Sequence, residues 1–81
     1  MFTVYILFSK QLQKHYVGYT SRNITIRLKE HLNDHKGFTT KAKDWKIVFN
    51  LDLDAKKEAL MLERKIKKRG AKRYLNDIAS R

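Results

Sequence analysis

Residues 2–8 read FTVYILF, a run made almost wholly of β-branched and aromatic side chains. No other stretch restricts the fold as strongly, because such residues fit a pleated strand far better than a helix. Alternation along a strand sets Thr3, Tyr5 and Leu7 on one face and Phe2, Val4, Ile6 and Phe8 on the other. The mostly polar SKQLQK of residues 9–14 suits a hairpin connection, and HYVGYT of residues 15–20 reads as the returning strand. With 81 residues in all, the chain has room for one compact domain, taken as 1–81. In a core this small nearly every large apolar side chain is needed.

Proline is absent, so Gly18, Gly37 and Gly70 are the main punctuation. Ser21 or Asn23 can cap a helix whose apolar stripe is Ile24, Leu28 and Leu32. Residues 35–43, HKGFTTKAK, read as a polar loop. DWKIVFNL, residues 44–51, reads as a third strand. Asp54 is the expected N-cap of a long helix buried through Ala55, Ala59, Leu62 and Ile66. Gly70 is expected to stop or bend that helix. A short last helix follows, with Tyr74, Leu75 and Ile78 packing back. The order β-β-α-β-α-α implies an α+β domain: a small three-stranded sheet, antiparallel or mixed, flanked by helices. The pattern leaves the pairing of strands 2 and 3 open.

Charge narrows the choice of partner. Lys and Arg number 19 against 8 Asp and Glu, a formal balance of +11. So lopsided a balance on one small domain points to a polyanion, with nucleic acid expected before an acidic membrane surface. RKIKKRGAKR, residues 64–73, concentrates seven of these cations. With the whole-chain excess it becomes a candidate phosphate-contacting surface. Cysteine is absent, which excludes disulfides and thiolate metal sites and suits a reducing, cytoplasmic setting. The N-terminal apolar run is too short for a signal peptide, and no window approaches a membrane span.

Several side chains could share chemistry. Tyr5 and Tyr16 lie on hairpin strands, and a pairing register would bring two phenols to one pocket. Arg27 and His31, four apart, project from one helix face. Glu63 borders the apolar stripe of the long helix. Each has an ordinary reading as well. The tyrosines can simply be strand residues. Arg27 can pair with Glu30 or Asp34, His31 can lie on a helix surface, and Glu63 can pair with Lys67. Gly18 can mark a bulge or a close backbone approach.

TVY at 3–5, YVG at 16–18, Thr20 and RLKEH at 27–31 together resemble the GIY-YIG nuclease family. DWKIV at 44–48 and EALMLERKIKK at 58–68 resemble its small stand-alone members. The similarity runs from about Phe2 to Lys68. It implies a three-stranded sheet with flanking helices, a divalent metal, and hydrolysis of DNA phosphodiesters, with repair or recombination as the setting. Carried over by position, the implied site is Tyr5, Tyr16, Gly18, Arg27, His31 and Glu63. Two positions depart from the pattern. Thr3 stands where glycine is usual, and Tyr19 follows Gly18 where the excision-repair members often carry lysine. Some members use a further asparagine near the C-terminus, and Asn76 lies nearby.

On this reading Glu63 holds one Mg²⁺ or Mn²⁺, a hard ion that keeps most of its waters. Arg27 offers its planar fork to the non-bridging oxygens. Tyr16 takes the proton from water with Tyr5 in support, and His31 relays that proton or positions the phosphate. Arg27, the positive field and the metal are expected to lower the phenol pKa. Lys41, Lys43, Lys67, Lys68 and Arg69 are the expected nucleic-acid contacts. One rival is a non-catalytic nucleic-acid binder stacking bases on Tyr19, Phe38 and Trp45. Another is an assembly module with a basic docking face.

Overall fold

The computed structural model describes residues 1–33 and 42–80. Its elements follow the expected order: β1 Phe2–Ser9, β2 Lys14–Thr20, α1 Ile24–Asn33, β3 Lys46–Leu53, α2 Lys56–Arg69 and α3 Ala71–Ala79. The sheet order is β2-β1-β3. Both pairings are antiparallel, and with β1 between them β2 and β3 are not neighbours.

β1 takes the centre because it is apolar on both faces. Val4 and Ile6 point to one side and join Ala59 and Ile66 of α2 in a fully buried cluster. Each large member of such a cluster contributes about 1.5–3 kcal/mol by leaving water. Tyr5 and Leu7 point to the other side and pack with Ala42, Trp45, Ile24 and Leu28. Helices or loop therefore cover both faces. The unbroken apolar run FTVYILF was itself a sign of a central strand.

Local chemistry sets the element ends. Asn23 Oδ1 accepts from the Thr25 amide at 2.8 Å and starts α1. α2 begins at Lys56, one residue later than a cap at Asp54 requires. Ala55 sits at the cap in extended backbone with no side-chain cap bond. Ala55 is exposed, so the buried stripe is Ala59 and Ile66 with Leu62 partly buried. Gly70 has φ +95, and its amide donates to the Ile66 carbonyl at 2.8 Å. A Cβ there would meet nothing within 4 Å, so the need for glycine is conformational. α3 docks through Tyr74, whose ring meets Phe49 edge-on at 5.7 Å.

β3 starts at Lys46, two residues after the expected start. Asp44 is used elsewhere: it accepts from the buried Ser9 hydroxyl at 2.6 Å and from the Gln11 amide at 2.8 Å. These bonds pin the β1–β2 turn and hold the Asp44 carboxyl below its ordinary value, the Ser9 bond being the largest cause. Trp45 turns into the core, 3% exposed. Farther along, a bulge between Ile6 and Leu7 leaves Val48 without a partner in the ladder.

Candidate active site

The β1–β2 register sets Tyr5 opposite Gly18 and Leu7 opposite Tyr16. The two tyrosines are thus diagonal neighbours on one face, not direct partners. Their rings lie 6.5 Å apart with 28° between planes. Tyr5 is 1% exposed, whereas Tyr16 is half-buried. The Tyr5 ring lies over the backbone of Gly18, where an added Cβ would come within 2.7 Å of the hydroxyl oxygen. Gly18 is required here as open space for a phenol. Thr3, on the same face, donates to Asp52 Oδ1 at 2.7 Å, which gives its hydroxyl a partner inside the sheet.

Arg27, one turn into α1, donates a side-chain hydrogen bond to the Tyr5 hydroxyl. Its Nη1 also stands 3.6 Å from Glu30 Oε2. The Tyr5 pKa is raised above its ordinary value near 10. Burial is the largest cause; the bond and charge of Arg27 oppose it, while Tyr16 and Glu63 add to the rise. The expected lowering by Arg27 is present, but burial outweighs it and the net shift of Tyr5 is upward. Desolvating a phenolate at this depth costs more than the guanidinium returns. Arg27 itself is raised: burial opposes its charge, but the Tyr5 bond and the fields of Tyr5, Glu30 and Tyr16 outweigh it.

Glu63 lies on α2 with its side chain 15% exposed, and Lys67 Nζ stands 3.5 Å from its Oε1. The field of Glu63 reaches Tyr5. Tyr5, Tyr16, Arg27 and Glu63 therefore form one electrostatic neighbourhood drawn from β1, β2, α1 and α2. The ordinary ion pairs of Arg27 with Glu30 and Glu63 with Lys67 are present at the same time. His31 falls within α1; its side chain lies outside the described residues, as do Lys41, Asp34 and Phe38.

Two open clefts flank this neighbourhood. One, about 850 Å³, runs between β2 and the α2–α3 joint and is bordered by Tyr16, Lys14, His15, Lys67, Lys72 and Arg73, among others. The other, about 490 Å³, contains Arg27, Arg22, Tyr19, Thr20 and Lys56. Among the expected phosphate contacts, Lys67 and Arg69 border the larger cleft, while Lys43 and Lys68 are exposed and border neither. The Arg69 guanidinium is held by both oxygens of Asp77, at 2.9 and 3.0 Å. It clasps the two helices across Gly70.

Sequence reasoning passed over Lys14, Arg22 and Lys56. Arg22 sits in a turn where its amide donates to Thr20 Oγ1 at 3.0 Å, and its guanidinium shares Glu30 with Arg27 at 2.8 Å. Base stacking on Trp45 is excluded by its place in the core. Tyr19 packs partly against the Val4–Ile6 cluster.

Among the described residues no three His, Cys, Asp or Glu side chains cluster as metal ligands. Glu63 offers this neighbourhood a hard carboxylate oxygen. That donor set fits an ion such as Mg²⁺, which takes one or two carboxylates and fills its shell from water and substrate phosphate.

The family model described as the GIY-YIG catalytic domain matches residues 1–76. Neither a curated protein nor a solved structure matches the chain significantly.

Proposed function

The chain belongs to the GIY-YIG family of nuclease domains, and from that premise we propose that it is a divalent-metal-dependent endonuclease hydrolysing DNA phosphodiester bonds. The observation that carries the reading is the bond from Arg27 to Tyr5 within reach of the charges of Tyr16 and Glu63. A phosphodiester is hydrolysed when water adds to phosphorus, the bond to one sugar oxygen breaks, and the proton of water finds an acceptor. This neighbourhood offers a group for each requirement.

Tyr16 is the proton acceptor. It is half-buried and borders the larger cleft, so it is the more accessible of the two phenols. Tyr5 is 1% exposed and has its hydroxyl engaged by Arg27, so it cannot meet the attacking water. Its role is to orient Arg27, whose remaining N–H groups bind the non-bridging oxygens as negative charge grows there. Glu63 would hold the metal ion. When bound, that ion supplies Lewis-acid stabilisation of the leaving oxygen. Lys67 would give up its place at Glu63 to the ion.

Supercoiled plasmid and branched DNA, incubated with Mg²⁺, Mn²⁺ or chelator, test this reading. The parent protein should nick in metal and not in chelator, and Glu63→Gln should be inactive in both. Cleavage that persists in chelator, or that Glu63→Gln carries out at the parent rate, rejects the assignment.

A further inference from the structure

The larger cleft differs in character from the neighbourhood around Tyr5. Lys14, Lys72 and Arg73 give it a strongly positive border, and Tyr16, His15 and Val17 place ring and aliphatic surface beside those cations. Lys72 and Arg73 are exposed in the first turn of α3, on the cleft side of Gly70. The nearby Arg69 is neutralised by Asp77 and serves the joint.

We propose that this cleft seats a short single-stranded stretch of nucleic acid leading to the ester beside Tyr16. This rests on the nuclease reading and narrows its substrate to DNA with an unpaired segment. An intact duplex stacks its bases inside and offers mainly phosphates at the nearest surface. It would leave the flat and apolar part of the cleft unused. A single strand offers both, with phosphates for Lys14, Lys72 and Arg73 and exposed bases for the apolar border of the cleft along the edge strand β2. Because Tyr16 belongs to both the cleft and the tyrosine pair, a strand lying here runs directly into the candidate site.

The test is equilibrium binding in chelator, where no cleavage occurs. Fluorescence anisotropy compares a labelled oligodeoxythymidylate with a blunt duplex of equal length, for parent and for the Lys72→Ala/Arg73→Ala variant. Both replaced side chains are exposed, and a circular-dichroism melt of the variant checks that it stays folded. The parent should prefer the single strand by about tenfold or more, the scale of stacking one base. The variant should lose most of that affinity, and its salt dependence should flatten by about 1.4 in log–log slope for two lost phosphate contacts. The His15 ring resonances should shift as the parent is titrated with the oligonucleotide. Equal affinity for duplex and single strand, parent-like binding by the variant, or unmoved His15 resonances overturns the proposal. A protein that nicks plasmid but shows no single-strand preference loses this inference and keeps the nuclease reading. One that prefers single strands but never cleaves does the reverse.

Discussion

Gly18 stands across the β1–β2 ladder from Tyr5, and a Cβ on Gly18 would lie 2.7 Å from the Tyr5 hydroxyl oxygen and 2.9 Å from its Cζ. The Tyr5 ring is boxed in by the second core cluster, so it cannot swing away cheaply. Gly18→Ala should therefore destabilise the fold by roughly 1–3 kcal/mol, the ordinary cost of overpacking. It should also move the hydroxyl off Arg27. Tyr5→Phe in the same chain removes the nearest contact and should recover part of the loss. A thermal melt of the two single variants and the double variant measures the coupling.

Tyr5 reports the two charges around it with opposite signs. Arg27 lowers its pKa and Glu63 raises it. Arg27→Ala should push Tyr5 further up, and Glu63→Gln should bring it down. NMR titration with ring-labelled tyrosine reads both. The raised value also has a consequence for stability. Above the ordinary phenol value near 10, the unfolded chain releases a proton that folded Tyr5 keeps. The contribution is therefore full below that value and is lost as pH rises through the folded one. Tyr5→Phe should make alkaline unfolding less steep.

The acid side has its own reporter. Ser9 and the Gln11 amide hold Asp44 low, so its contribution is present above the ordinary carboxylate value and disappears as pH falls through the folded value. Asp44→Asn should flatten the acid limb of a stability–pH curve and loosen the β1–β2 turn. Hydrogen exchange at the Gln11 amide, which donates to Asp44 Oδ2 at 2.8 Å, is the local check.

Much of the fold could be read from the residues because local and tertiary preferences agree. The alternation in β1 fixes which side chains share a face, Asn23 is the one of the two possible caps that bonds the Thr25 amide, and Gly70 separates α2 from α3. β3 was read two residues early because Asp44 and Trp45 have strand-like neighbours but tertiary duties: one ties the hairpin turn and the other fills the core. The cap at Asp54 failed through a one-residue shift, which packing of Ala59 and Ile66 decides and sequence does not. In the site, residue types made the tyrosines, Arg27 and Glu63 candidates beside their ordinary readings, and the resemblance to the GIY-YIG family selected them. Their inequality was hidden. Only the register places Gly18 under Tyr5, and only the layer of α1 and Trp45 buries that ring.

The two tyrosines should separate in kinetics. Tyr16→Phe should cut the single-turnover cleavage rate by about 10²–10⁴, the range for loss of a general base, with little change in melting temperature. Tyr5→Phe should cost less in rate, acting through the position of Arg27, and more in stability. If Tyr5→Phe is the slower enzyme and the melting temperatures are equal, the roles of the two are exchanged.

The most direct test of a shared site is a double-mutant cycle on Arg27 and Glu63, read as single-turnover nicking of supercoiled plasmid in Mg²⁺. Groups that act on one ester depend on each other. Arg27→Ala and Glu63→Gln should each lose at least about 10²–10³ in rate, and the combined variant should be scarcely slower than the worse single one. Losses that multiply in the combined variant, or parent-like cleavage by either single variant, would contradict the account.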